Sequence, residues 1–198
     1  MSILYAFPLV NDKNMSYTKN SMKLLLHSCC APCSVNCVEN LRAGGIEPVL
    51  FWYNPNIHPL TEYRSRKDAL IRFAGDQNLD LIMQDEYGLR SFIQGVYPDF
   101  DQRDSRCAFC YRLRLEKTVR YGAEQGFTCF STTLLISPYQ DHGLIQETAQ
   151  ALAVQYGMTF VYRDWRPLFR QGREKARNLG LYMQKYCGCI FSEEERYR

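Results

Sequence analysis

Five short apolar runs, KLLLHS, EPVLFWY, LDLIMQ, FTCFST and TFVY, return along the chain with helical patterning between them. Runs this short, bounded by turn signals, read as buried strands. The stretches 35–43, 60–77, 87–96, 109–125, 140–156 and 167–179 read as helices, and several stop at glycine: Gly44-Gly45, Gly126, Gly157 and Gly180. Strands that alternate with helices across short connections form a parallel sheet with helices packed on its faces. The expected fold is therefore α/β, with a cysteine-containing C-terminal extension that ends YCGCIFSEEERYR. With 198 residues, 46% of them hydrophobic, the chain can bury one sizeable core. We expect a single α/β metal-binding catalytic domain over 23–198, preceded by a flexible tail, 1–22. No apolar run approaches the ~20 residues that cross a bilayer. The opening MSILYAFPLV has neither a basic n-region nor a small-residue cleavage site. The expected location is the cytoplasm, with no membrane partner.

In a parallel sheet of this Rossmann-like kind, ligands sit at the C-terminal ends of the strands. The unusual loops follow strand ends: HSCCAPCS after the first, YNPNIHP after the second, STTLLISPYQDH after the fourth. One rim thus gathers the polar chemistry. Seven of the nine cysteines fall into three groups: Cys29, Cys30 and Cys33; Cys107 and Cys110; Cys187 and Cys189. Clustered thiols in a cytoplasmic protein bind metal or do redox chemistry more often than they form disulfides. The C-x-x-C pair Cys107/Cys110 is expected at a helix start, where thiol pKa falls. Four thiolates satisfy either tetrahedral zinc or a four-iron cluster, and seven exceed what one site needs. The soft ligands on a sheet that already has a core favour iron–sulfur over zinc. Cys37, on a helix, and Cys129, inside FTCFST, read as small core residues.

There is no C-x-x-x-C-x-x-C, which argues against a radical-SAM enzyme. No glycine-rich phosphate loop is present, so a flavin or nicotinamide bound in the usual way is not supported. Net charge is only +3. Its distribution says more: Arg112, Arg114, Lys117 and Arg120 fall on one expected helix. Arg163, Arg166, Arg170, Arg173, Lys175, Arg177 and Lys185 crowd the C-terminal third. Such clusters suit a phosphate-rich ligand or form a solvated face.

HSCCAPCS, YNPNIHPLTEYRSR, CAFCYRLRLEKT, FSTTLLISPYQDH and GLYMQKYCGCIFSEEER, in this order, resemble the QueH family of epoxyqueuosine reductases from about Lys23 to the C-terminus. The resemblance implies a HUP-type sheet. It implies reduction of epoxyqueuosine to queuosine at the wobble position of tRNA, the last step of queuosine synthesis, without cobalamin. It also implies a [4Fe-4S] cluster and a neighbouring mononuclear metal, which we take as iron, with all seven clustered cysteines as metal residues. Some members carry Asp at the position of Cys33, a departure that bears on that ligand's chemistry. One partition puts Cys107 and Cys110 with part of the first group on the cluster, and Cys187 and Cys189 with the remaining thiol on the second metal. The partners implied are tRNA with a queuosine-accepting anticodon and an electron donor that the sequence does not identify.

Beside this ligand set, His27 reads as a hydrogen-bonding or packed neighbour of the thiols. His58, Tyr139 and His142 are the candidate catalytic residues, His58 as proton donor to the leaving oxygen. Candidate contacts to base, ribose or phosphate are Tyr53, Asn54, Asn56, Tyr63, Arg66, Thr132, Thr133, Ser137, Gln140 and Lys185. Two competing readings remain: an adenylyl-sulfate-type reductase, which also carries Cys-Cys and a distant C-x-x-C, and a zinc-bound, non-catalytic tRNA-binding protein. The first lacks counterparts for YNPNIHP and STTLLISPYQ. The second would show zinc and no acid-labile sulfide.

Overall fold

The structure is a computed structural model that describes residues 23–198; the expected tail, 1–22, lies outside the described residues. In chain order the elements are β1 (Leu24–His27), α1 (Ala31–Ala43), β2 (Pro48–Trp52), α2 (Leu60–Asp76), β3 (Leu81–Met83), α3 (Leu89–Val96) and α4 (Arg103–Glu124). Then come β4 (Cys129–Thr132), a 3-10 turn (Thr133–Ile136), α5 (His142–Tyr156), β5 (Thr159–Phe160), a second 3-10 turn (Arg166–Leu168), α6 (Phe169–Asn178) and α7 (Ile190–Tyr197).

The five strands form one sheet in the order β3-β2-β1-β4-β5, every pair parallel. This is the expected parallel, Rossmann-like arrangement. β1 lies at the centre because all of LLLH is apolar or pairs internally; Leu24, Leu25 and Leu26 are fully buried. Leu26 aligns with Leu50 of β2 on one side and Ser131 of β4 on the other. Burial of each leucine contributes about 1.5–3 kcal/mol. α1 packs on α6, and α4 packs on α5, so helices cover both faces. Among the described residues no helix is long and apolar enough to cross a membrane.

From β1 the chain crosses to β2, and from β4 it crosses the other way to β5. The order reverses between β1 and β4, which is where open parallel sheets hold ligands. Register puts His27 beside Thr132 at that edge, so HSCC and STTL leave the sheet side by side.

Two elements differ from the sequence expectation. α4 starts at Arg103, so part of the polar stretch expected as loop is helix. Its first turn is polar, with Arg103 and Asp104 exposed and Ser105 half-buried, and a polar turn carries no apolar periodicity to betray it. Cys107 and Cys110 consequently lie inside α4 rather than at its start. The tail also contains a helix, α7, none of whose residues is fully buried.

Candidate metal centre and active site

The end of β1 runs directly into the N-terminus of α1. Cys30 is the N-cap in extended conformation, and Pro32 occupies the first turn, where a missing N–H costs nothing. This sharp strand-to-helix passage folds Cys29, Cys30 and Cys33 together: their sulfurs all lie within 4.8 Å of one another. Cys29 is clamped to the neighbouring strand end. Its N–H donates to Thr133 Oγ1 at 3.0 Å, and the Thr133 hydroxyl lies 3.4 Å from Cys29 Sγ. Hydrogen bonds from the Cys30 and Cys33 thiols, which outweigh the cost of burial, hold the Cys29 thiol well below its usual range. Burial pushes Cys30 up, and the bonds given to Cys29 push Cys33 up. One thiolate in a nest of thiols is primed for a metal, which displaces the remaining protons.

On α4, Cys107, Cys110 and Arg114 follow at i, i+3 and i+7, so they share one face. Burial pushes Cys110 up to about 12, with Arg114 opposing, and raises Cys107 as well. The lowering expected from a helix N-terminus is therefore absent, because both thiols sit past the unpaired N–H groups of the first turn. The third group hangs on a C-terminal strap, residues 179–189, which joins α6 to α7. Gly188, between Cys187 and Cys189, has φ +148°, and a Cβ there would stand 3.3 Å from Arg66 Nη1. Only glycine meets both conditions comfortably.

The three groups converge. A single cavity of about 1090 Å³ is lined by Cys29, Cys33, Cys107, Cys110, Cys187 and Cys189, with Cys30 Sγ 3.7 Å from Cys29 Sγ behind them. Cys37 and Cys129 do not line it. The donor set is soft and all sulfur. It also has buried polar atoms beside it with no partner among the described residues: Gln184 Oε1 and Asn56 Oδ1. These residues fit a thiolate-bound metal or cluster.

A family model described as epoxyqueuosine reductase QueH matches residues 24–195. The chain belongs to that family. Curated relatives of the same description include one from Dehalococcoides mccartyi, 38% identical over 175 residues, covering 88% of this chain and 94% of the relative. One from Haemophilus influenzae is 36% identical, covering 93% and 77%. One from Thermotoga maritima is 33% identical, covering 87% and 91%.

In this QueH family member the polar candidates divide by place. Asn56, Arg66, Thr133, Ser137, Tyr139, Gln140 and Lys185 line the cavity. Gln140 Nε2 donates to Cys187 Sγ at 3.2 Å, and its Oε1 accepts from Tyr111 at 2.9 Å. Tyr139 is 74% exposed, with its ring edge-on to Phe169 at 5.8 Å. Tyr53, Asn54, His58, Tyr63, Thr132 and His142 are not in the lining. Thr132 Oγ1 meets His27 Nδ1 at 2.9 Å, and Asn54 Nδ2 donates to the Ser28 carbonyl at 3.0 Å. Both brace the β1 end from beneath. Tyr63 donates to Asp85 at 2.8 Å, and Lys117 lies over the Tyr53 ring at 5.5 Å. His142 opens α5 with Nε2 donating to the Ser137 carbonyl at 3.2 Å.

His58 is corrected by its surroundings. It is fully buried, its Nε2 donates to the Pro55 carbonyl at 3.1 Å, and its Nδ1 accepts from Ile190 N–H at 3.3 Å. Burial lowers its pKa to about 4. With both nitrogens engaged and no cavity frontage, it holds the strap rather than delivering a proton. Arg66 lines the cavity but has its nitrogens engaged elsewhere. It is buried, pairs with Glu62 at 2.7 Å, and donates to the carbonyls of Cys187 and Tyr186 at 2.8 and 3.0 Å. Its charge is spent on the strap, which leaves little for phosphate.

Of the basic helix cluster, Arg120 is exposed and in no ion pair among the described residues, and the other three are engaged. Arg112 pairs with Glu116, Lys117 covers Tyr53, and Arg114 is buried at the thiols. Sequence reasoning missed Gln184, whose Nε2 reaches Cys30 Sγ at 2.9 Å; an isolated Gln in the tail gives no local signal. It also missed Arg114 as part of the site. The i, i+3, i+7 spacing from Cys107 was the available signal.

Proposed function

We propose that this chain reduces epoxyqueuosine to queuosine at the wobble position of tRNA, drawing electrons from a donor that the sequence does not identify. The observation that carries this reading is the convergence of three sequence-distant cysteine groups on one large cavity at the sheet's reversal point. Residues 23–198 act as one catalytic domain, in the cytoplasm. Converting an epoxide to an alkene consumes two electrons and two protons and releases water. Cys29, Cys30, Cys33, Cys107, Cys110, Cys187 and Cys189 are the ligand pool for a [4Fe-4S] cluster and an adjacent mononuclear iron. When bound, these supply electrons and Lewis acidity toward the oxygen.

The chain's own residues do the rest. Tyr139 offers an exposed face for stacking the splayed base, as in other recognition of unpaired bases. Gln140 ties α4 and Cys187 together and so sets where the strap sits. Arg103, Arg173, Lys185 and Arg196 line the cavity without a carboxylate in ion-pair range among the described residues. They are free to meet the phosphates on either side of the nucleotide.

The test is anaerobic purification, with iron, acid-labile sulfide and zinc measured per chain, followed by assay on epoxyqueuosine-containing tRNA. Iron in excess of sulfide, a brown colour bleached by dithionite, and queuosine as product are expected. Stoichiometric zinc without sulfide, persisting after iron supplementation, would overturn the redox reading and leave a zinc-clamped tRNA-binding protein.

A further inference from the structure

Three arginines are buried among the described residues: Arg66, Arg106 and Arg114. Arg66 is paired with Glu62, and Arg106 with Glu195. Among the described residues Arg114 has no carboxylate in ion-pair range, although it is only 2% exposed. Its Nε donates to the Cys110 carbonyl at 3.0 Å and its Nη2 to Cys110 Sγ at 3.2 Å. Its stem packs so that the guanidinium lies 5.8 Å from the Tyr111 ring centre, and it lines the thiol cavity. A buried cation without a counter-charge is strongly unfavourable. The groups around it that can carry negative charge are the Cys110 sulfur, in direct contact, the Cys187 and Cys29 sulfurs, and the Tyr111 phenol, which burial keeps protonated.

We propose that Arg114 is the built-in counter-cation of a thiolate-bound metal centre, acting through the sulfurs to set the centre's affinity and its reduction potential. This rests on the reading that the cavity thiols bind metal, and not on the reaction assigned to them. A divalent metal or a four-iron cluster held by four thiolates carries net negative charge, and reduction adds to it. In a low-dielectric site a nearby positive charge stabilises the more negative state. Arg114 thus offsets the charge that the thiolates bring in, and it favours the reduced form over the oxidised one. It bonds to Cys110 through two nitrogens, so it also fixes that ligand's backbone and sulfur together.

Two substitutions separate charge from packing. Arg114→Gln keeps a donor for the Cys110 carbonyl and removes the charge; Arg114→Lys keeps the charge. Full-length metal-free protein is titrated anaerobically with Co2+, and the thiolate-to-cobalt charge-transfer band reads the binding. Arg114→Gln is expected to weaken Co2+ by about 10–100-fold, the usual scale for groups that support metal ligands, and Arg114→Lys by much less. In iron-loaded protein, redox titration is expected to place Arg114→Gln at the more negative potential. A tenfold fall in the reduced-to-oxidised ratio corresponds to about 59 mV for one electron. Circular dichroism of the metal-free variants reads folding separately, and Arg114→Met replaces Arg114→Gln should the latter not fold. A neutral variant with wild-type Co2+ affinity overturns the proposal, as does Arg114→Lys falling as far as the neutral variant. Inactivity of the wild type on epoxyqueuosine would remove the proposed reaction and leave the cobalt comparison to decide Arg114 alone.

Discussion

His58 shows how much one side chain can carry without touching the cavity. Its Nδ1 must be unprotonated to accept from Ile190 N–H, the first residue of α7. A proton there breaks that bond and charges a fully buried ring. The folded pKa, about 4, lies below the ordinary 6.5 because burial disfavours the charged form. Between those values the unfolded chain binds the extra proton, so stability rises with pH. The contribution is fully present above about 6.5 and is lost as pH falls through about 4, on the order of 3 kcal/mol in all. Urea unfolding at pH 7 and pH 5 should show the wild type losing stability on acidification. His58→Asn, which has no group to titrate, should start less stable and lose less. An equal loss in both proteins would show that His58 is not the titrating group.

At the scale of elements, the C-terminal strap is the part that completes the site, because it brings Cys187 and Cys189 to thiols on β1–α1 and α4. Leu181 and Met183 pack it on the core, and part-buried polar bonds hold its course. Arg66 grips two of its carbonyls, Tyr186 donates to the His58 carbonyl at 2.6 Å, Tyr182 donates to Glu62, and Glu195 pairs with Arg106. Arg66→Met leaves Glu62 buried without its cation, which should cost about 3–5 kcal/mol. It should also free the strap, read as faster protease cleavage and amide exchange over 181–190 with the sheet still protected. Unchanged protection there would mean that other contacts hold the strap. The same contrast explains what the sequence disclosed. The strands were legible because β1 and β2 are short apolar runs buried in the sheet, and four of the helices because a glycine stands at or just past the stop. The cysteine groups were legible as groups, since a thiol cluster has few other uses in a core of this size. The strap's anchoring was not, because Arg66 bonds to backbone carbonyls about 120 positions away and no side-chain pattern encodes that. Tyr63 and Arg66 read as substrate contacts for the same reason: helical spacing shows that two residues share a face, not which face is covered.

For the whole molecule, a net charge of +3 is too small to draw in tRNA by itself, so placement has to do it. Many of the basic residues counted in the sequence are already neutralised. Arg42, Lys67, Arg72, Arg166 and Lys175 each pair with a carboxylate. The cavity-lining cations left without one among the described residues come from separate elements: Arg103 opens α4, Arg173 lies on α6, Lys185 on the strap and Arg196 on α7. They line the same cavity as the thiols, so phosphates flanking one extruded nucleotide could be met by several of them. Each contact to a flexible strand releases counterions, worth a slope of about −0.7 in log K against log salt. Binding of an anticodon stem-loop should therefore weaken with salt, and Arg173→Ala with Lys185→Ala should flatten the slope by about 1.4. Arg166→Ala, which removes an exposed cation already paired with Asp164 at 2.6 Å, should leave the slope nearly unchanged. Fluorescence anisotropy across a salt series measures all three. If Arg166→Ala flattened the slope as much as the double variant, the attraction would belong to total charge, and the cavity-lining cations would lose their special standing. If only the double variant did, the electrostatic attraction would be centred on the cavity through which a base reaches the seven cysteines.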